Sequence, residues 1–287
     1  MASADLLLPE VLAPLVRNTI FAGHIYHWLE ADSTNSLAMF AAAEAGKSPE
    51  TAPEGSVFLA EEQTKGRGRA GHRWHSEWGM GIYCSFAVRP KISPEDALWL
   101  SLVAGVAAHE AVREVTGVVA DIRWPNDLLI GERKFCGILT EMSSGPTRVH
   151  HAAIGIGINV GHRSFPEELQ NLATSLRLAT GKNVSRVELT AALIKSLDRE
   201  YRMLLRAAVS PEEAHGLRFA PILRRVEARS SYVRGKRVFV DEDEGYTGVT
   251  DGLDARGFLR VATSKGVRIV ISGGVRPWAG EDHVAGG

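Results

Sequence analysis

The sequence has little cysteine, almost no net charge and no long apolar run. Cys84 and Cys136 are its two cysteines, too few for a disulfide framework, and this suits a reducing compartment. Lys and Arg total 33 against 34 Asp and Glu, a formal net charge of -1. Nothing therefore draws the whole molecule to nucleic acid or to an anionic membrane, and such a partner would need a local patch. No segment reaches the ~18 uninterrupted apolar residues that a membrane span requires. The apolar start lacks a basic stretch before it, and Asp5, Pro9 and Glu10 interrupt it, which argues against a secretion signal. The expectation is a cytoplasmic chain with no membrane association, in which residues 1–23 form an N-terminal leader of undetermined structure. Repeats and low-complexity tracts are missing too. What remains, 45% hydrophobic and 23% charged residues in 287, is ordinary globular composition.

Periodicity and turn chemistry organise the chain. Residues 25–30 read as a short strand. Asp32-Ser33-Thr34-Asn35 are N-capping types before an alanine-rich helix over 36–45, with Gly46 at its C-terminal end. Strands are expected at 56–60 and 82–88, separated by a long glycine-rich loop over 64–81. Ser93-Pro94-Glu95 opens a helix whose Leu98, Leu102 and Val106 step by four. Residues 121–124 and 128–130 read as extended, and Gly131-Glu132 turns the chain back into a strand over 134–142. Residues 149–158 read as a buried strand, and two or three helices are expected between 166 and 219. From Lys236 onward, β-rich runs alternate with Gly/Asp turns, the pattern of a small barrel. The fold class expected is α+β: a mixed sheet packed with helices over 24–230, then a small β-barrel domain over 231–287.

Three segments carry chemistry. In the first, Gly66-Arg67-Gly68-Arg69-Ala70-Gly71 matches G-x-G-x-x-G after a strand. A dinucleotide fingerprint would need a helix at the last glycine and an acidic residue about 20 positions on. His72-Arg73-Trp74-His75 continues without helical periodicity, and position 91 is lysine. Lys65, Arg67, Arg69 and Arg73 instead suit an anion, because glycines admit it to the backbone and guanidinium forks match carboxylate or phosphate. A solvated basic loop and minor-groove insertion are the competing readings. The second segment is Arg123-Trp124-Pro125-Asn126-Asp127, with Lys134 seven residues later. A turn at Gly131 would set Asp127 and Lys134 on adjacent strands, as a surface ion pair or as part of an anionic-substrate site. The third is Gly155-Ile156-Gly157-Ile158-Asn159, a strand whose glycines permit close approach and whose asparagine can meet a purine edge. Tight core packing explains those glycines equally well. The histidine pairs at 24/27, 72/75 and 150/151 show spacings that could suggest metal, but no acidic or cysteine partners complete a ligand set by the sequence pattern alone.

Taken in order, these segments resemble the biotin protein ligase (biotin–[acetyl-CoA carboxylase] ligase) family. The resemblance rests on Asp32-Ser33-Thr34-Asn35, on Glu62 to Gly71 through Trp74, on Trp124-Pro125-Asn126-Asp127-Leu128, and on Arg133-Lys134-Phe135-Cys136-Gly137. It continues through Gly155 to Val160 and Ala173-Thr174-Ser175-Leu176, and it covers about residues 24–275. It implies a catalytic domain like that of class II aminoacyl-tRNA synthetases and a C-terminal barrel of the Src-homology type. Only about 23 residues precede the match, so the form without the DNA-binding repressor domain is expected, with no nucleic-acid partner. The implied reaction is ATP-dependent formation of biotinyl-5'-AMP. Biotin then passes to a lysine of a biotin carboxyl carrier protein, as in acetyl-CoA carboxylase. Magnesium is expected through the ATP phosphates, with no metal held by the protein itself.

The resemblance also assigns roles. Ser33, Thr34, Asn35, Gln63, Gly66, Arg67, Gly68, Arg69, Trp74, Lys134 and Gly137 are expected around biotin. Arg67, Arg69, Lys134 and Asn159 are expected at the nucleotide. Lys134, Asp127 and Arg69 are expected to act in catalysis, with Asp127 either accepting a proton or orienting Lys134. Cys136 is expected close to biotin and open to alkylation, and His72 stands where the family loop commonly has arginine. Monomeric and homodimeric forms both fit. The nearest alternative is a lipoate/octanoate protein ligase or transferase of the same fold. A dinucleotide-binding oxidoreductase and a nucleic-acid-binding module are more distant ones.

Overall fold

A computed structural model describes residues 5–44, 53–209, 218–271 and 274–278. A seven-stranded mixed sheet is the frame. Its strands are β1 (Ile25–Ala31), β2 (Ser56–Gln63), β3 (Gly81–Val88), β4 (Asp121–Arg123), β5 (Asp127–Ile130), β6 (Arg133–Ser144) and β7 (Val149–Asn159). The order is β1-β2-β3-β7-β6-β5-β4, with β1 and β2 parallel and every other pair antiparallel. The expected strands are present, and β2 runs on through Gln63.

Strand parity divides the sheet into two unlike faces. Ile82, Cys84, Phe86 and Val88 of β3, Cys136 and Ile138 of β6, and Ile154, Ile156 and Ile158 of β7 enter one large core. Helices α1 (Pro9–Val16), α3 (Leu98–Thr116), α5 (Arg186–Ala208) and α6 (Ala220–Glu227) contribute to that core. The opposite face carries small and polar residues: Ser85 and Ala87 on β3, Gly137 and Glu141 on β6, Ala153, Gly155 and Gly157 on β7. Over part of it lies α2 (Thr34–Glu44), whose Ala38 and Ala42 pack on Phe58, Ala87 and Ala153. The Gly46 position lies outside the described residues.

Several elements differ from the sequence reading. Residues after Ser93 form a 3-10 turn over Pro94–Asp96, and α3 starts at Leu98. Asp96 accepts from Ser93 Oγ (3.1 Å) and Arg218 (2.6 Å), which holds the turn apart from the helix. Between 166 and 219 lie a 3-10 turn (Glu167–Leu169), the short α4 (Leu176–Thr180) and the long α5. Helix α6 follows just beyond that window. Its Arg225, and Arg229 after it, pair with Glu200 and Glu110, partners too distant in sequence to suggest a helix there. From residue 5 the stretch read as a leader belongs to the large core: Leu7, Leu12, Val16 and Phe21 are all buried.

The C-terminal strands are β8 (Arg234–Asp241), β9 (Tyr246–Leu253), β10 (Leu259–Thr263), β11 (Gly266–Val270) and β12 (Gly274–Pro277). They pair as a five-stranded sheet in the order β11-β10-β9-β8-β12. The β9–β10 turn docks on the large domain, where Trp124 Nε1 donates to the Gly257 carbonyl at 2.9 Å. A Cβ on Gly257 would stand 2.8 Å from Leu102, so this turn needs glycine for its close approach. No described helix is long and apolar enough to cross a membrane.

Candidate active site

The small and polar face of the sheet, beside the N-terminus of α2, holds a narrow, partly open cleft. Three walls meet there.

The first wall is polar. Gln63, at the end of β2, accepts from Thr34 N (2.9 Å) and Thr34 Oγ1 (3.1 Å) through Oε1. Ser85 Oγ lies 2.8 Å from Thr34 Oγ1 and 2.6 Å from Asn35 Oδ1. Asn35 Nδ2 in turn donates to Leu139 O and Glu141 Oε2. This chain of bonds needs Gly155, because a Cβ there would be 2.3 Å from Asn35 Oδ1. Ser85 is a site residue that sequence reading missed. Its signal was a hydroxyl at an alternate position of an apolar strand, facing away from Cys84 and Phe86.

The second wall is aromatic. Trp74 lies across the glycines of β6 and β7, and a Cβ on Gly157 would be 2.6 Å from its Cε2. Its Nε1 is buried and makes no hydrogen bond among the described residues, which leaves a donor available to a ligand. Gly157→Ala should cost about 1–3 kcal/mol of stability, the usual range for overpacking, and should displace the indole. Thermal unfolding followed by tryptophan fluorescence checks this. An unchanged midpoint and spectrum would show that the indole has room to move.

The third wall is cationic. The Gly131 turn, at φ +61°, folds β6 back on β5 and sets Asp127 opposite Gly137. Lys134 extends over Gly137 and puts Nζ 2.6 Å from Asp127 Oδ1 and 5.4 Å from the Trp74 ring centroid. Arg123 holds the other Asp127 oxygen at 2.6 Å. Burial raises the Asp127 carboxyl, but Lys134 and Arg123 outweigh it and hold the group below its ordinary range. Asp127 is therefore an anion at neutral pH and a poor proton acceptor. In the loop, Arg69 donates to Asn126 Oδ1 (3.3 Å), and Asn126 is tied to β6 through Ile138 O. Burial depresses the Arg69 guanidinium while Asp127 opposes the shift. Arg67 pairs with Glu141 at 2.8 Å and donates to Ser36 Oγ. Each of these three cations thus has a partner within the protein. Asn126, read in the sequence only as a turn residue of the Arg123–Asp127 segment, and Glu141, not singled out there, orient the arginines.

The loop itself is a narrow return. Gly68 N donates to His72 O, Trp74 N donates to Gly66 O, and Arg67 bridges Arg73. Its tip has Ala70 in the left-handed region at φ +52°, a conformation uncommon for alanine.

The expected residues are distributed as follows. Ser33, Thr34, Asn35, Gln63, Arg67, Gly68, Arg69, Trp74, Lys134 and Gly137 line this cavity. Gly66 lines an adjoining hollow with the loop tip. Asp127 stands behind Lys134. Asn159 is at the end of β7, where Nδ2 donates to Thr174 O and Oδ1 is buried without a partner among the described residues. The expectation for Cys136 is corrected. Its neighbour Gly137 faces the cavity, so parity turns Cys136 into the large core, where it is fully buried. Burial also raises its thiol pKa, making it inert to alkylation in the folded chain.

Comparison with known proteins identifies the family. Residues 32–159 match the model of the biotin/lipoate A/B protein ligase family. The chain is 35% identical over 223 residues to the bifunctional ligase/repressor BirA of Bacillus subtilis, covering 77% of this chain and 66% of that one. It thus spans about two thirds of that relative's length. It is 32% identical over 227 residues to the biotin--[acetyl-CoA-carboxylase] ligase of Mycobacterium tuberculosis, covering 77% of this chain and 78% of the relative. Among solved structures, the biotin protein ligase of Aquifex aeolicus in complex with biotin and ATP superimposes with a TM-score of 0.73. That match has 28% identity over 89% of this chain and 100% of the other. The chain belongs to the biotin protein ligase branch of the biotin/lipoate A/B protein ligase family.

Proposed function

We propose that this chain activates biotin with ATP to biotinyl-5'-AMP and transfers the biotinyl group to a lysine of a carrier protein. The observation that carries this reading is the polarity of the cavity. Thr34, Gln63 and Ser85 form a neutral hydrogen-bonding end, and Lys134, Arg67 and Arg69 form a cationic end. A ureido ring, with N–H donors and a carbonyl acceptor, suits the neutral end. A carboxylate and an α-phosphate, two anions that must meet, suit the cationic end.

In the first step a carboxylate oxygen of biotin attacks the α-phosphorus, a C–O–P linkage forms, and pyrophosphate leaves. Fixed cations offset the repulsion and stabilise the charge that develops in the transition state. In the second step the carrier lysine attacks the acyl carbon, AMP leaves with the bonding pair, and the amine loses a proton. Asp127, held anionic between Arg123 and Lys134, is better suited to orienting Lys134 than to taking that proton. Trp74 and the returning loop would keep water from the anhydride. The buried Asn159 Oδ1 is an acceptor for an adenine amino group. Magnesium would accompany the triphosphate oxygens, since Asp127 and Glu141 are both engaged by cations and do not form a carboxylate cage. The acceptor is a biotin carboxyl carrier domain of the acetyl-CoA carboxylase type. The C-terminal sheet is read as the Src-homology-type barrel, and the division into 24–230 and 231–287 is kept, with residues 5–23 added to the catalytic unit.

Biotin-dependent exchange of labelled pyrophosphate into ATP tests the first step. Exchange with biotin and not lipoate is expected. Exchange supported by lipoate or octanoate alone would transfer the chain to the other branch of the family, and absence of exchange with any of these acids would end the ligase reading.

A further inference from the structure

Beyond the cavity, His75, Glu77 and His162 place one ligand atom each within 4.8 Å of one another. No two of them form a metal-type spacing in sequence with the third. His75 and Glu77 follow Trp74, whereas His162 lies beyond β7, and folding brings the three together. In a tetrahedral site, metal–ligand bonds of about 2.0–2.2 Å put ligand atoms about 3.3–3.6 Å apart. Small rotations of His75, which is half-buried, and Glu77, which is exposed, would close the set on a fixed His162.

A second observation concerns the ring of His162. It is fully buried, and its Nδ1 has no hydrogen-bond partner among the described residues. Its Nε2 lies 3.4 Å from the Tyr83 hydroxyl. That hydroxyl accepts from Glu77 N (2.9 Å) and gives its single hydrogen to Glu77 O (3.0 Å). With the hydroxyl hydrogen assigned to Glu77 O, the nearer acceptor, Nε2 is the donor to Tyr83 and Nδ1 keeps its lone pair. A ring nitrogen fixed as donor to an outer partner, with the other left as acceptor, is the arrangement found in metal-bound histidines. Phe165 stacks on the His162 ring at 5.1 Å and meets His75 edge-on at 6.1 Å, forming an apolar wall.

We propose that His75, Glu77 and His162 form a binding site for a divalent transition-metal ion of the zinc class. Two imidazoles and one carboxylate are the ligand types such ions take, and three protein ligands leave one coordination position open. The ion would join the segment that leaves the arginine loop to the end of β7, the strand that carries Gly157 and Asn159.

The full chain, stripped with a chelator, is titrated with Zn²⁺ by calorimetry and with Co²⁺ by visible absorption. One equivalent of each is expected, with the intense band of four-coordinate cobalt. His75→Ala and Glu77→Ala should each weaken binding at least about 10-fold, since losing only a supporting group already costs 10–100-fold. Both positions are outside the large core, so these variants should fold, as far-ultraviolet circular dichroism would verify. His150→Ala/His151→Ala, an unrelated histidine pair, should leave binding unchanged. The proposal is overturned by a titration without saturation, by a six-coordinate cobalt spectrum, or by affinity that survives His75→Ala and Glu77→Ala. None of these outcomes depends on biotin or ATP, so they are separable from the ligase reading.

Discussion

Lys134→Ala should lower biotin-dependent pyrophosphate exchange by about 10²–10³-fold, the range for removing one preorganised donor, about 2.7–4 kcal/mol of barrier. The fold should persist. Lys134 is held by its backbone, which donates to Leu172 O at 2.8 Å and accepts from Thr174 N at 2.9 Å, and its side chain is about 30% exposed. The truncation removes the ammonium that Asp127 and the Trp74 face position over Gly137. Lys134→Arg restores charge but not shape, because a planar fork cannot replace a point charge over the glycine; partial recovery is expected. Asp127→Asn separates the two roles open to Asp127. If Asp127 orients Lys134, exchange and lysine transfer should both fall. If it were the base for the incoming lysine, exchange would be spared and only transfer would slow. Single-turnover measurement of each step decides between them, and retained exchange in Lys134→Ala would remove that residue from the mechanism.

Arg186→Ala should cost about 3–5 kcal/mol of stability, since it leaves a buried charge without its partner. Arg186 and Glu61 are both buried and lie 2.7 Å apart. Arg186 also donates to Gly81 O and Asp5 O, and Glu61 accepts from Leu7 N and His27 Nε2. This network fastens the N-terminal segment and α5 to the sheet. Burial would raise the Glu61 carboxyl, but the Leu7 N–H, Arg186 and His27 together bring it below its ordinary value near 4.5. A depressed carboxyl pKa gives stability that is present above pH 4.5 and lost as pH falls through the lower folded-state value. Arg186→Ala should therefore shrink the loss of stability on acidification as well as the stability itself. The double variant Glu61→Leu/Arg186→Met should be less destabilised than Arg186→Ala, because apolar replacement leaves no stranded charge. Denaturant unfolding at pH 7 and pH 4 measures both effects. A change below 1 kcal/mol in Arg186→Ala would show that the network contributes little.

Much of the site was legible because its residues are close in sequence or obey a short period. The Asp127–Lys134 pair follows from a turn at Gly131, and the Gly155/Gly157 alternation marks one face of one strand. Ser85 and Glu141 were not legible. Each is an ordinary residue until parity and strand order place it beside Thr34, Asn35 and Arg67, 50 to 106 residues away in partner spacing. Cys136 shows the opposite failure. It sits inside the Arg133–Gly137 segment that carries the family resemblance, yet a period of two puts neighbours on opposite faces, so adjacency to Gly137 separates it from the cavity.

Local chemistry along the chain was enough to determine the strands, the glycine–arginine loop, the family and the residue types of the cationic wall. Those features depend on turns, caps and periods that act within a few residues. Tertiary structure alone decided which face of the sheet carries the cavity, which partner holds each cation, and that residues 5–23 belong to the core. It also decided that two histidines and a glutamate from separate segments converge. These depend on strand order and long-range packing, and a one-dimensional pattern does not specify which distant groups share a buried space.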